Sequence, residues 1–186
     1  MSKARIIAGS AKNVKLEVVS GLTRPITDRG KTVVFDLISE FISTAKVLDL
    51  FAGSGSYGLE ALSRGAIKAT FIDSEIEACK VITANIKACK FDSVTEVINA
   101  KLPKALSQLK IIYDLVFCDP PFTNLEYFKL KDYAKLITTN NLFILRLPLE
   151  HKVSFTKLGL KLIYKQIIGI SVIYFIRADA SLQIPT

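Results

Sequence analysis

The run Val47-Leu48-Asp49-Leu50-Phe51-Ala52-Gly53-Ser54-Gly55-Ser56-Tyr57-Gly58 is apolar, carries one carboxylate and then breaks into three glycines. It reads as a buried strand, a tight turn and the opening of a helix, because glycine permits the dihedrals and close ligand approach that a Cβ blocks. Such a turn is a nucleotide-type ligand site. Its Gly53-x-Gly55-x-x-Gly58 spacing is that of dinucleotide sites, so a nicotinamide or flavin cofactor is the first comparison. Asp49 argues against it: a pyrophosphate held at a helix N-terminus is an anion, and a carboxylate on the preceding strand repels it. S-adenosylmethionine carries a sulfonium and an ammonium, which a nearby acid favours. No Lys-Ser or Lys-Thr closes the turn, which excludes a Walker phosphate loop.

A second stretch with chemistry in it is Asp119-Pro120-Pro121-Phe122, directly after the apolar run Leu115-Val116-Phe117-Cys118. Two prolines stiffen the turn and remove two N–H donors, leaving the Asp119 carboxylate and the Pro120 carbonyl as acceptors. Acceptors suit a substrate amine. Phe122 offers a flat face for a base to stack on, a contact worth about 1 to 3 kcal/mol. A nucleobase amine is a weak nucleophile, and two acceptors on its hydrogens orient it and favour electron density on nitrogen. A third candidate is Asp73, which ends the apolar run Ala69-Thr70-Phe71-Ile72 and lies fifteen residues past Gly58. That is close to where a doubly wound fold places the acid that accepts both ribose hydroxyls.

The elements that position these groups alternate. Thr27 or Asp28 caps a helix through about Ser43, with Val33, Val34, Leu37, Ile38 and Phe41 on its inner face. After the glycine turn a helix runs to Arg64, where Gly65 ends it. Ser74-Glu75-Ile76-Glu77 reads as a capping box opening a helix to about Ala88. Strands are predicted at 94–98, 113–118 and 142–147, with helices over 102–109 and 127–137, and 160–166 pairs antiparallel with 170–176 around Gly169. Strands alternating with helices give an α/β fold with a mainly parallel sheet, closed by an antiparallel hairpin. Arg5-Ile6-Ile7-Ala8 and Val14-Lys15-Leu16-Glu17-Val18 form a basic N-terminal β-hairpin, so residues 1–27 are an extension and 28–186 the main domain.

The charge is +8, with 25 Lys and Arg against 17 Asp and Glu. Within residues 1–31 stand Lys3, Arg5, Lys12, Lys15, Arg24, Arg29 and Lys31 against only Glu17 and Asp28, so the excess is concentrated where it favours a polyanionic partner. No apolar run reaches the roughly 18 residues of a membrane span, and the N-terminus lacks a secretory pattern; the cytoplasm is the expected location and no membrane a partner. Cys79, Cys89 and Cys118 have no CxxC spacing and only His151 to join them, which indicates neither a disulfide framework nor a metal site. Cys118 reads as core, His151 as a loop residue.

Arg5-Ile6-Ile7-Ala8-Gly9, Gly21-Leu22-Thr23-Arg24-Pro25 with Thr27-Asp28-Arg29, the run from Val47 to Gly58, Glu60 to Ala66, and Asp119 to Phe122 together resemble the bacterial small-subunit ribosomal RNA guanine-N2 methyltransferases of the RsmD family. The resemblance implies a Rossmann-like class I methyltransferase fold, S-adenosylmethionine as donor with S-adenosylhomocysteine as product, and transfer to a guanine N2 amine. It also implies small-subunit ribosomal RNA, or an assembling 30S particle, as partner; a monomer is the expected state. On the matching positions, Asp49, Phe51, Gly53 and Gly55 line the cofactor, Asp73 holds its ribose, and Asp119, Pro120 and Phe122 hold the base. The N-terminal cations Arg5, Lys12, Lys15, Arg24, Arg29 and Lys31 grip RNA. The sequence departs from the family at Gly30-Lys31-Thr32 and after the third strand, where Asn99 stands in place of an acid near the adenine. Competing readings are an adenine-N6 methyltransferase on DNA or RNA, a ribosome-assembly protein without turnover and, last, an NAD dehydrogenase.

Overall fold

The computed structural model describes residues 4–19, 26–109 and 111–179. Seven strands form one sheet: β1 Lys46–Leu50, β2 Lys68–Asp73, β3 Thr95–Asn99, β4 Leu115–Cys118, β5 Leu142–Pro148, β6 Leu160–Ile168 and β7 Ser171–Ala178, in the order β3-β2-β1-β4-β5-β7-β6. The first five are parallel, and β7 runs antiparallel between β5 and β6. Strand order reverses between β1 and β4, and it is outside the carboxyl ends at such a switch point that ligands of open α/β sheets bind. The glycine turn leaves β1 there, and Asp119 leaves β4.

Three α-helices, α1 Asp28–Leu37, α2 Ser56–Ser63 and α3 Ile76–Cys89, cover one face of the sheet. Period-2 alternation divides the strand residues between two cores. Val47, Phe71, Leu115, Phe117 and Ile144 meet Val34, Phe35, Leu59 and Ile82 on the helical face. Leu48, Leu50, Ile72, Val116, Cys118 and Phe143 meet Leu130, Tyr133 and Ile137 on the other. Cys118 is therefore a core residue on the face opposite Phe117.

Several local expectations change. Helix α1 ends at Leu37 and gives way to a 3-10 turn over Ser39–Phe41. Its buried stripe is Gly30, Lys31, Val34, Phe35 and Ile38, while Leu37 and Phe41 are exposed. The capping box does not form: Glu75 is the N-cap of α3 without a side-chain cap bond, and the Asp73 carboxylate accepts from Glu75 N–H instead. Over 102–109 and 127–137 the chain makes 3-10 segments, Lys104–Gln108, Phe122–Tyr127 and Leu130–Leu136, and no α-helix.

The N-terminal hairpin is reduced to one antiparallel bridge between Arg5 and Lys15, flanked by Ile6 N–H to Val14 O at 3.0 Å and Leu16 N–H to Ala4 O at 2.8 Å. This arm lies on α2 and α3, where Ile6, Ala11 and Leu16 join the helical-face core. Ser10 N–H donates to Ser63 O at 2.8 Å, and Ala11 N–H donates to Ser63 Oγ at 3.0 Å. Gly9 has φ +83, and a Cβ on it would lie 1.7 Å from Ser63 O. Gly9→Ala should therefore cost about 1 to 3 kcal/mol from backbone strain alone, measured by urea unfolding. An unchanged midpoint would show that the arm is not docked in solution.

Candidate active site

Three carboxylates stand at the carboxyl edge of the sheet, each already held by a donor. Asp49 is 1% exposed, and its carboxylate accepts from Gly58 N–H at 2.9 Å, which ties β1 to the first turn of α2. Burial pushes its pKa well above the ordinary carboxylate range, and the charges of Asp119 and Asp73 add to the rise against the Gly58 bond. Asp49 thus supports the turn from beneath, through its bond to Gly58 N–H. Asp73 is partly exposed at the end of β2; its Oδ2 accepts from Gly53 N–H at 2.8 Å and its Oδ1 from Glu75 N–H at 3.0 Å.

The glycines of the turn have different tasks. Gly53 and Gly55 both hold positive φ, +56 and +74, a region that disfavours other residues. A Cβ on Gly53 would meet nothing within 4 Å, whereas one on Gly58 would lie 2.4 Å from Phe71 Cε1. Gly53 therefore borders open space beside the Asp73 carboxylate, and Gly58 is where helix meets strand. Phe51, also at positive φ (+58), closes the other side with Phe128 and Tyr133, ring centroids 6.3 and 6.1 Å away. The open space at Gly53, with acids around it, suits a ligand of positive charge such as S-adenosylmethionine. Asn99, opposite Asp73 in the β2–β3 register, donates through Nδ2 to Asp73 O at 3.2 Å and Ser74 O at 3.1 Å. It braces the loop that carries Asp73.

At the end of β4, Asp119 Oδ2 accepts from Arg146 Nη1 at 2.9 Å, the two side chains 18% and 15% exposed. Burial raises the Asp119 pKa, and Arg146 opposes the rise. The Arg146 guanidinium lies over the Phe122 ring, 4.9 Å from its centroid, and Arg146 Nε donates to Ser171 Oγ at 3.2 Å. Pro120 is buried beneath. Sequence reasoning missed Arg146; its signal was one cation inside Leu142-Phe143-Ile144-Leu145-Arg146-Leu147, an otherwise apolar strand. Nearby, a cleft of about 310 Å³ is lined by Phe128, Lys131, His151, Lys152 and Lys157 among others.

The basic N-terminus divides. Lys12, Lys15 and Arg29 are exposed, Arg5 pairs with Asp28 at 2.9 Å, and Arg24 lies outside the described residues. Lys31 is 1% exposed, with its ammonium 3.2 Å from Glu60 Oε2 and 3.1 Å from Ser56 Oγ and donating also to Arg5 O. Burial lowers its pKa against the pull of Glu60. Lys31 is therefore a core cation and not an RNA contact, because its reach is spent on Glu60 within the fold. Glu60, fully buried, also accepts from Ile7 N–H at 2.8 Å, Ala8 N–H at 3.1 Å and Arg64 Nε at 2.8 Å.

Fold and site define a Rossmann-like α/β protein of the class I methyltransferase type, with its two motifs on neighbouring strand ends. The family model described as Conserved hypothetical protein 95 matches residues 4–177. Ribosomal RNA small subunit methyltransferase D of Haemophilus influenzae is 39% identical over 145 residues, 75% of this chain and 72% of that one. The protein of the same name from Escherichia coli (strain K12) is 39% identical over 120 residues, 63% of this chain and 60% of that one. The solved structure of yhhF from Escherichia coli aligns with TM-score 0.78 and 30% identity, over 97% of this chain and 100% of that one. The chain belongs to the Conserved hypothetical protein 95 family, that of ribosomal RNA small subunit methyltransferase D.

Removing one partner of a buried ion pair costs about 3 to 5 kcal/mol. Lys31→Gln should lower stability on that scale, measured by urea unfolding, without altering the salt dependence of RNA binding. A reduced salt slope at unchanged stability would return Lys31 to the RNA surface.

Proposed function

We propose that this protein transfers a methyl group from S-adenosylmethionine to the N2 amine of a guanine in small-subunit ribosomal RNA. The observation that carries the reading is the placement of a partly exposed Asp73 beside the open Gly53 at one strand end, and of Asp119 with Phe122 two strands away, on one sheet edge. Family membership supplies the substrate class.

S-adenosylmethionine supplies an activated methyl on a sulfonium, and S-adenosylhomocysteine is what remains. In this chain Asp73 holds the ribose hydroxyls through its remaining lone pairs, the Gly53 turn admits the nucleoside closely, and Phe51 packs beside it. Asp119 accepts a hydrogen bond from the guanine N2 amine and fixes its direction, while Phe122 supplies the stacking face for a base taken out of its helix. Orientation and electrostatics carry the chemistry, since Asp119 shares its charge with Arg146. Exposed Lys12, Lys15 and Arg29 on the arm side, and Lys131, Lys152 and Lys157 around the cleft, are the cations that would meet phosphates.

Incubation of small-subunit RNA and of small subunits lacking the modification with methyl-labelled cofactor, followed by nucleoside analysis, should yield N2-methylguanosine. N6-methyladenosine, or label in duplex DNA alone, would contradict the assignment. Asp119→Ala should leave cofactor affinity intact while single-turnover transfer falls about a hundredfold, roughly 2.7 kcal/mol of barrier. Asp73→Ala should do the reverse and weaken cofactor binding by about 1.5 to 3 kcal/mol per lost charged hydrogen bond. Calorimetry separates the two, and exchanged phenotypes would exchange their roles. Neutralising Lys12, Lys15 and Arg29 together should flatten the dependence of RNA affinity on salt, because each phosphate contact releases counterions. An identical slope would remove the arm from the interface.

A further inference from the structure

Arg146 does more at this edge than balance a charge. Its ion pair with Asp119 uses one oxygen, Oδ2, and one nitrogen, Nη1. Its Nε is anchored to Ser171 Oγ, and Ser171 is 1% exposed, so the guanidinium is fixed at its root. Among the described residues Asp119 Oδ1 and Arg146 Nη2 make no hydrogen bond, although both side chains reach the surface of the site. The paired Asp119 and Arg146 thus keep one acceptor and one donor unspent, with the guanidinium over the Phe122 ring. A base entering beside Phe122 and the guanidinium would reach these two atoms with its edge.

Guanine presents two donors, N2–H and N1–H, followed by an acceptor, O6, along its Watson–Crick edge. Adenine presents the opposite order at the corresponding atoms, an acceptor at N1 and a donor at N6. We infer that Arg146 is a specificity-determining residue that donates to guanine O6 while Asp119 accepts from the neighbouring N–H groups, so that the pair reads guanine and rejects adenine. This rests on the proposed guanine-N2 transfer and names the group that chooses the base. With adenine in the same place, the N1 lone pair faces the carboxylate and the N6 amine faces the guanidinium. Unpaired or opposed buried polar groups are what make such a site selective.

The test uses 2-aminopurine, which keeps the N2 amine but lacks both O6, the acceptor for Arg146, and N1–H, a donor to Asp119. A synthetic segment carrying either guanine or 2-aminopurine at the mapped acceptor position is ligated into small-subunit RNA. Single-turnover transfer and RNA affinity are then measured on both. The unsubstituted protein should favour guanine by roughly ten- to a hundredfold, the range for one well-placed arginine–base contact. Arg146→Met should reduce transfer to guanine and lower that ratio, leaving only the part set by Asp119 at N1. Ser171→Ala, which frees the root of the guanidinium but leaves Asp119 paired, should lower the ratio in the same direction. Equal losses on both bases would make Arg146 only a prop for Asp119 and overturn the inference, as would an unchanged ratio. Absence of guanine methylation by the unsubstituted protein would instead overturn the function on which the inference rests.

Discussion

The constraint on which the site depends is the parallel register of β2, β1 and β4. It pairs Leu50 with Ile72 on one side and with Cys118 on the other, so that the residues following those partners, Asp73 and Asp119, leave the sheet at one level. Asp49 sits one step earlier, with Phe71 and Phe117 as its partners. Carboxylates crowded at one edge repel one another, and the fold answers with a separate donor for each: Gly58 N–H for Asp49, Gly53 N–H for Asp73 and the guanidinium for Asp119. Two of these donors belong to the glycine turn. The turn is therefore held in shape by the acids it serves.

A second network carries the same preorganisation outward. Glu60 collects Lys31, Arg64 and the amides of Ile7 and Ala8 in the interior, where an unpaired charge would be costly. Lys31 also bonds Ser56 Oγ at the start of α2. Asn85 does the matching work from α3: its Oδ1 accepts from Glu17 N–H at 2.8 Å, and its Nδ2 donates to Glu17 O at 3.0 Å and Ser54 O at 2.9 Å. Arm and glycine turn thus share hydrogen-bonding partners at two places. The arm is docked on the elements that shape the site, which gives its exposed cations a fixed position relative to the sheet edge.

Much of this was legible in the residues. The glycine turn, the strand ending on Asp73, the proline-stiffened turn after β4 and the closing antiparallel pair all follow from local pattern, and each is where the pattern placed it. What escaped depends on partners distant in the chain. Lys31 reads as one more basic residue until Glu60 is folded against it, because a buried cation looks no different from an exposed one in sequence. Arg146 escaped for a related reason: a lone cation in an apolar strand has meaning only once Asp119 lies beside it. The segments after β3 and β4 failed in another way. Their apolar residues are spaced for a helix, yet Ala105 and Tyr133 reach the second core from short 3-10 turns. Ser74 does not cap α3: the N-cap is Glu75, and the Ser74 hydroxyl donates to Glu75 Oε1.

The central claim is a division of labour along one edge, cofactor at the Asp73 side and guanine at the Asp119 side. A crystal structure of the protein with S-adenosylhomocysteine and a guanosine-containing oligonucleotide tests it most directly. The account predicts both ribose hydroxyls on the Asp73 carboxylate with the Gly53 bond retained, and the guanine stacked on Phe122 with its N2 amine on Asp119. A ribose away from Asp73, or a base bound elsewhere than between Phe122 and Asp119, would contradict it.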